Sequence, residues 1–313
     1  MHISIFSQNL ANKTDISSSI NAENVKVNTN AYANMNAYAN INAYNANTKG
    51  IYVEFTQENA LVSYTSLLQH ANAYITHKLN RTTSPFNIIT KVFCDPSLIK
   101  SYESGHIHLN SGSGNSVYTL FTQAASAIRK NIFDQSNKGV VWIKLVLDGF
   151  SLLLVNMHLP VDPTRSDYGN EYRTKCFKES LESLSHHIDD TTLLIVGGDL
   201  NFRVQGKDQL TTLLETYTLQ GTQLYDLTGP EPTCKFTTKC LSNKIRCFDT
   251  KRTPSRCDRM LANKPLAVTS KTIVLDPTLD HNGVFVKFTY PVTGGRRTRT
   301  RSKRRSRKTR SRV

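Results

Sequence analysis

The chain has 313 residues, 38% of them hydrophobic and 20% charged, and a formal net charge of +15. Eleven lysines and arginines fall in residues 296–313, RRTRTRSKRRSRKTRSRV; fifteen less eleven leaves only +4 for everything before them, so the charge describes a tail and excludes a basic fold. No apolar run approaches the roughly 20 residues that span a bilayer, and MHISIFSQNL lacks the charged start and long apolar middle of a secretory leader.

In chain order, ISIF (3–6) predicts a short strand. A polar stretch follows at about 15–49, where AYANMN, AYANIN and AYNAN recur at a six-residue spacing. Ala and Asn supply little apolar surface to offset chain ordering, so this stretch is expected to be a disordered insertion; a solenoid would need more repeats with real core residues. IYVEFT (51–56) is β-rich and bounded by Gly50. Leu61, Tyr64, Leu68, Ala71 and Ile75 have helical spacing. NIITKVF (87–93) and VYTLF (117–121) read as strands, with a Gly/Ser loop at 111–116. VVWIKLVL (140–147) and SLLLVNMHL (151–159) flank Asp148-Gly149, a strong hairpin signal. Phe177, Leu181, Leu184 and Ile188 mark a second helix, ending before TTLLIVGGDLN. TIVL (272–275) and VFVKFT (284–289) are late strands. Hairpins with interspersed helices suit a sheet sandwich covered by helices, not a purely parallel sheet.

Six cysteines without framework spacing or a tight C-x₂₋₄-C pair predict free thiols in a reducing compartment, not disulfides or a zinc site. With no leader or span, the expectation is a soluble, intracellular, cytoplasmic monomer.

Polar residues gather at strand ends: Asn9, Gln57-Glu58, Asn156, His158, Asp199, Asn201 and Asp280-His281. Such ends project into a shared rim, where sites on sheet scaffolds form. The residue types suit phosphate chemistry. A hard cation wants an oxygen such as that of Glu58, an attacking water wants a base such as Asp199, and charge developing on phosphorus wants donors such as Asn201, His158 and His281. Singly, each has a bland reading: a surface Asp-His pair, a Gly-rich turn, an acid at a helix start.

TQEN (56–59), NMHL (156–159), GGDLNFR (197–203) and LDH (279–281) occur in the order and approximate spacing of the endonuclease/exonuclease/phosphatase superfamily, which the chain resembles over about residues 3–290 apart from the insertion. GDLNFR, RTPSRCDRML (252–261), PTCKF (232–236) and SNKG (136–139) resemble the inositol-polyphosphate 5-phosphatase branch in particular. The resemblance implies a four-layered α/β/β/α sandwich. It implies a catalytic domain over residues 1–292 and leaves 293–313 as a disordered basic tail. It further implies Mg²⁺ held by Glu58 with Asn9 nearby. Asp199 would orient and deprotonate water, Asn201 would hold the phosphoryl group, and His158 and His281 would contact the scissile phosphate, with Asp280 orienting His281. Lys138, Lys235, Arg252, Asp258 and Arg259 would bind the substrate, the last four as a wall selecting inositol phosphates.

The chain departs from that pattern in three places. Arg256 stands where the signature has Trp, Val196-Gly197 replace aromatic residues before GDLN, and Asn282-Gly283 follow the Asp-His pair in place of Arg-Pro. Arg256 is expected either to add a phosphate contact or to be solvated. The tail has several readings: nucleic-acid binding, attraction to anionic lipid, nuclear import, or a solvated tail. The expected activity is hydrolysis of a phosphate, the 5-phosphate by resemblance, from inositol polyphosphates or phosphoinositides. The alternative is a metal-dependent nuclease of the same superfamily whose tail grips nucleic acid.

Overall fold

In a computed structural model the chain is described over residues 1–10, 50–60, 74–79, 86–109, 138–160, 167–205, 207–234, 236–237, 247–248, 255–273 and 281–291. The expected insertion at 15–49, the helix over 61–71, the strand at 117–121, Lys235, Arg252, Asp280 and the tail lie outside these residues.

Two six-stranded mixed sheets form an α/β sandwich. The first contains β1 (His2–Asn9), β2 (Gly50–Ala60), β3 (Ile75–Lys78), β4 (Phe86–Phe93) and two late strands. The second contains β5 (Ser101–His108), β6 (Gly139–Val146), β7 (Ser151–His158), β8 (Thr192–Asp199), β9 (Tyr225–Asp226) and β10 (Asp258–Ala262). With β11 (Val268–Ile273) and β12 (Gly283–Thr289), the first sheet runs β11-β12-β1-β2-β4-β3 and the second β9-β10-β8-β7-β6-β5. Each has one parallel pair at its middle, β1 with β2 and β7 with β8. β1 therefore lies between β2 and β12, with His2 opposite Thr289.

Alternation along each strand decides what faces the interior. Ile3, Ile5, Ile51, Val53, Phe55, Leu152, Leu154, Leu193, Ile195, Met260 and Ala262 form the core between the sheets. The intervening Leu153, Val155, Met157, Leu194, Val196 and Leu261 face outward, onto a layer with Phe177 and Leu181 of α1 (Asp167–Ser183) and Leu210, Leu213 and Leu214 of α2 (Gln209–Leu214). Each fully buried side chain of this kind contributes roughly 1.5–3 kcal/mol. Asp208 caps α2, accepting hydrogen bonds from Leu210 N and Thr211 N. Among the described residues no helix is long and apolar enough to cross a membrane.

The hairpin turns at Asp148-Gly149, with Gly149 at φ 85°. Three expectations need correction. Ile75 begins a strand that pairs with β4, so it does not continue a helix. α1 stops at Ser183, and a short 3-10 turn carries the chain past Leu184 to Ile188. Cys234 and Cys257 form a disulfide with Cα atoms 6.0 Å apart, where free thiols were expected. Backbone bridges set Cys234 against Ser255 and His281, an approach that a separation of 23 residues does not advertise. Cys94 and Cys176 are free.

Candidate active site

The site grows out of one line of register. His158 stands beside Asp199 across the β7–β8 ladder, and Asp199 stands opposite Asp258 across β8–β10. Residues level with one another share a face, and here that face is the sandwich interior at its rim. Asn9 ends β1 of the other sheet, and Gln57 of β2 stands level with it. Below the rim Gln57 Nε2 donates to Asn156 Oδ1 at 2.7 Å, which bridges the sheets and floors the site.

Asp199 is buried and well partnered. Asn9 Nδ2 donates to its Oδ2 at 3.0 Å, the Asn201 backbone N–H donates to its Oδ1 at 3.1 Å, and His158 Nε2 lies 3.5 Å from Oδ2. Burial alone would push this carboxyl up. The His158 hydrogen bond and the charges of His281, His158 and Lys138 outweigh it and hold Asp199 well below the usual carboxylate range. Burial, with the Lys138 charge, lowers His158 against the opposing pull of Asp199 and Glu58. Asp258 goes the other way: burial pushes its carboxyl up to about 6, although the His281 ring opposes that. Two adjacent buried carboxyls with pKa values driven apart are a recurrent acid–base arrangement.

His281 Nδ1 lies 2.8 Å from Asp258 Oδ2. Asp258 is thus the ring's carboxylate partner in the described structure, the part expected of Asp280. The expected wall containing both Asp258 and Arg259 is corrected by strand parity, because consecutive residues of β10 face opposite sides. Arg259 is buried on the outer face, where its guanidinium pairs with Asp208 and Asp226. Arg256 joins it, with Nη2 3.1 Å from Asp226 Oδ2 and Nη1 3.5 Å from Asp208 Oδ2. It is therefore neither solvated nor at the rim, and it ties β9 to the start of α2.

Asn201 adopts φ 55°, a left-handed conformation that Asn tolerates better than most residues. Its Nδ2 donates to Leu159 O at 3.0 Å, and Arg203 Nη2 donates to its Oδ1 at 2.9 Å. Arg203 Nη1 also reaches the Cys257 sulfur at 2.9 Å. Arg203 therefore positions Asn201, a role the reading of GDLNFR as a signature did not bring out. Gly198 sits at φ 123°, and a Cβ there would lie 2.0 Å from Met157 O. Gly197 faces the interior, where the Phe55 ring of the other sheet would stand 3.0 Å from a Cβ. Phe55 thus supplies an aromatic ring from across the sandwich.

Glu58 occupies the same rim at φ 52°, where β2 shifts register between Thr56 and Asn59. Its Oε1 lies 3.6 Å from His158 Nε2 and 3.8 Å from Lys138 Nζ, and Lys138 contacts His158 directly. Glu58 and Lys138 thus come together with Asn9, His158, Asn201, Asp199, Asp258 and His281, whereas Arg259 does not.

The donor chemistry suits a hard divalent cation. Asp199, Asp258 and His281 each offer an atom within 4.8 Å of the others, and Asp258 Oδ1 is buried without a hydrogen-bond partner. The Glu58 carboxylate already faces a positive charge, the ammonium of Lys138.

A family model described as "Endonuclease/Exonuclease/phosphatase family 2" matches residues 7–285. No curated protein sequence matches the chain. Among the solved structures that share its fold are the following. TDP2 from C. elegans is 17% identical with a TM-score of 0.53, over 93% of this chain and 76% of that one. The inositol polyphosphate 5-phosphatase domain of SPsynaptojanin is 16% identical with a TM-score of 0.52, over 92% and 83%. The Bacteroides thetaiotaomicron mannosyl-6-phosphatase Bt3783 is 14% identical with a TM-score of 0.53, over 93% and 100%.

Proposed function

The chain belongs to the endonuclease/exonuclease/phosphatase family, whose members are metal-dependent hydrolases of phosphate esters, and from that premise we propose that it removes a phosphate, the 5-phosphate by resemblance, from inositol polyphosphates or phosphoinositides. The observation that carries the hydrolytic part is the row His158–Asp199–Asp258 with His281 held on Asp258. Asp199 stays ionised and accepts a hydrogen bond from the attacking water, fixing its direction. Asn201, His158 and His281 donate to the phosphoryl oxygens as negative charge builds there. Asp258 orients His281 through its contact with Nδ1. Glu58, with Asn9 beside it, would hold Mg²⁺, which when bound neutralises charge on the phosphate.

The substrate class rests on GDLNFR, RTPSRCDRML, PTCKF and SNKG. Of their basic residues, Lys138 stands at the rim, 3.8 Å from Glu58 Oε1, where it can meet a non-reacting phosphate. A second reading, cleavage of nucleic-acid phosphodiesters, is favoured by the eleven cations of residues 296–313.

The deciding experiment measures phosphate release over a panel of inositol phosphates, phosphoinositides and mannose 6-phosphate, beside nicking of plasmid DNA, with Mg²⁺ and with excess EDTA. The full chain and a chain ending before residue 296 are compared. The proposal expects EDTA-sensitive phosphate release from inositol substrates that survives loss of the tail. DNA cleavage that fails without the tail, with no release from inositol substrates, would establish the nuclease.

A further inference from the structure

At one edge of the sandwich three imidazoles meet. β3 and β5 are edge strands of different sheets. His77 of β3 stacks on His106 of β5 with ring centres 5.8 Å apart and planes at 29°, and His106 meets His108 edge-on at 4.9 Å. Strand parity puts Ser104, His106 and His108 on one face.

Two ring nitrogens of this group, His77 Nε2 and His106 Nδ1, are buried without a hydrogen-bond partner. Buried unpaired polar atoms are uncommon and call for an explanation. The other nitrogen of His77, Nδ1, lies 3.1 Å from Ser104 Oγ. With Nδ1–H donating to Ser104, the lone pair sits on Nε2, which is how an outer partner prepares an imidazole for a metal.

We propose that His77, His106 and His108 bind a borderline-soft divalent cation, with Zn²⁺ the best fit, at a site separate from the carboxylate-lined centre. Imidazole nitrogens favour zinc, copper and nickel, whereas carboxylate oxygens suit magnesium and manganese. Two histidines at i and i+2 on a strand stand roughly 6.6 Å apart at Cα, from about 3.3 Å of rise per residue, and can converge on one ion. His77 adds a third ligand from the opposite sheet, and the fourth position is left for water. Closing on the ion takes side-chain rotation from the present ring separations, and His108 is exposed. The exposed rings of Tyr74 and Tyr102 lie 6.4 Å apart beside the same pair of edge strands. β3 and β5 lie in different sheets, so the ion would join the two across this edge. His108 is level with Gly139 and Gly139 with His158, which sets the cluster two strands, roughly 10 Å, from the catalytic row.

The test uses the tag-free full chain in excess Mg²⁺, dialysed against micromolar Zn²⁺ and assayed for bound metal. One zinc per chain is expected. His77→Gln combined with His106→Gln should weaken uptake at least about 100-fold while Mg²⁺-dependent activity persists, and Ser104→Ala should weaken it about 10-fold. Nitrogen NMR of the histidine rings in the unaltered protein gives a check that needs no variant: zinc should shift the signals of His77, His106 and His108. No stoichiometric zinc, equal uptake by the folded double variant, or shifts confined to His158 and His281 would each overturn the proposal.

Discussion

Asp258 and Arg259 are consecutive in the chain and face opposite sides of one strand. Asp258 meets His281 inside the sandwich, while Arg259 meets Asp208 and Asp226 on the outer, helix-covered face. One peptide bond thus separates a residue of the site from a residue of the scaffold, and substitutions at the two should be read by different measurements.

Arg259→Ala should cost stability and leave the chemistry of the folded fraction alone. Its side chain is 1% exposed, and removing one partner of a buried pair typically costs about 3–5 kcal/mol. Arg256 is less deeply buried, so Arg256→Ala should cost less. Denaturant melts beside KM on the folded protein check both; a raised KM with normal stability would return Arg259 to the substrate wall.

Asp199→Asn should lower kcat by about 10²–10⁴-fold, the usual range for a general base. The amide keeps the shape but loses the charge and one acceptor that Asn9, the Asn201 N–H and His158 face, so the melting temperature should fall too, and on the folded fraction the loss should fall on kcat more than KM. A folded variant with near-normal kcat removes Asp199 from the reaction.

Stabilisation by Mg²⁺ should depend on pH. Asp258 is raised from 3.8 to about 6 in the fold, so the native state favours its protonated form. That contribution is full below the ordinary value and is lost as pH rises through about 6. A nearby cation favours the ionised form, so Mg²⁺ should raise the melting temperature more at about pH 7.5 than at about pH 5. Asp258→Asn should flatten the difference; equal shifts at both pH values in the unaltered protein would count against it.

Gly198→Ala should fail to fold or lose about 3–5 kcal/mol, because it combines left-handed strain with a collision against Met157 O. Gly221→Ala offers the contrast. Gly221 also has positive φ, 76°, but nothing lies within 4 Å of a Cβ there, so the loss should stay near the strain alone. Equal losses at the two positions would mean that the collision is relieved.

The hairpin at Asp148-Gly149 and the core strands were legible because apolar β-rich runs bounded by turn residues have few other uses. β5, SYESGHIH, was missed. Its Ser, Glu, Gly and His residues hide the period, and its inward face is polar. Arg259 was placed in the substrate wall for a related reason: RTPSRCDRML was read as one block, although the parity of DRMLA already separates Asp258 from Arg259. The Cys234–Cys257 pairing was not legible, since it depends on how separate segments are brought together. Asn9, Glu58, His158, Asp199 and His281 could be picked out because polar residues closing apolar strands have little reason to be there except a shared rim.

The position of β1 between β2 and β12 bears on how the molecule is made. β1 is made long before Gly283–Thr289, and its second ladder cannot close until that strand has been made. Pairings so distant in sequence slow folding and leave strand edges open meanwhile. Asn9 ends β1 and His281 precedes β12, so a nascent chain that has not yet reached His281 lacks part of the candidate reaction centre.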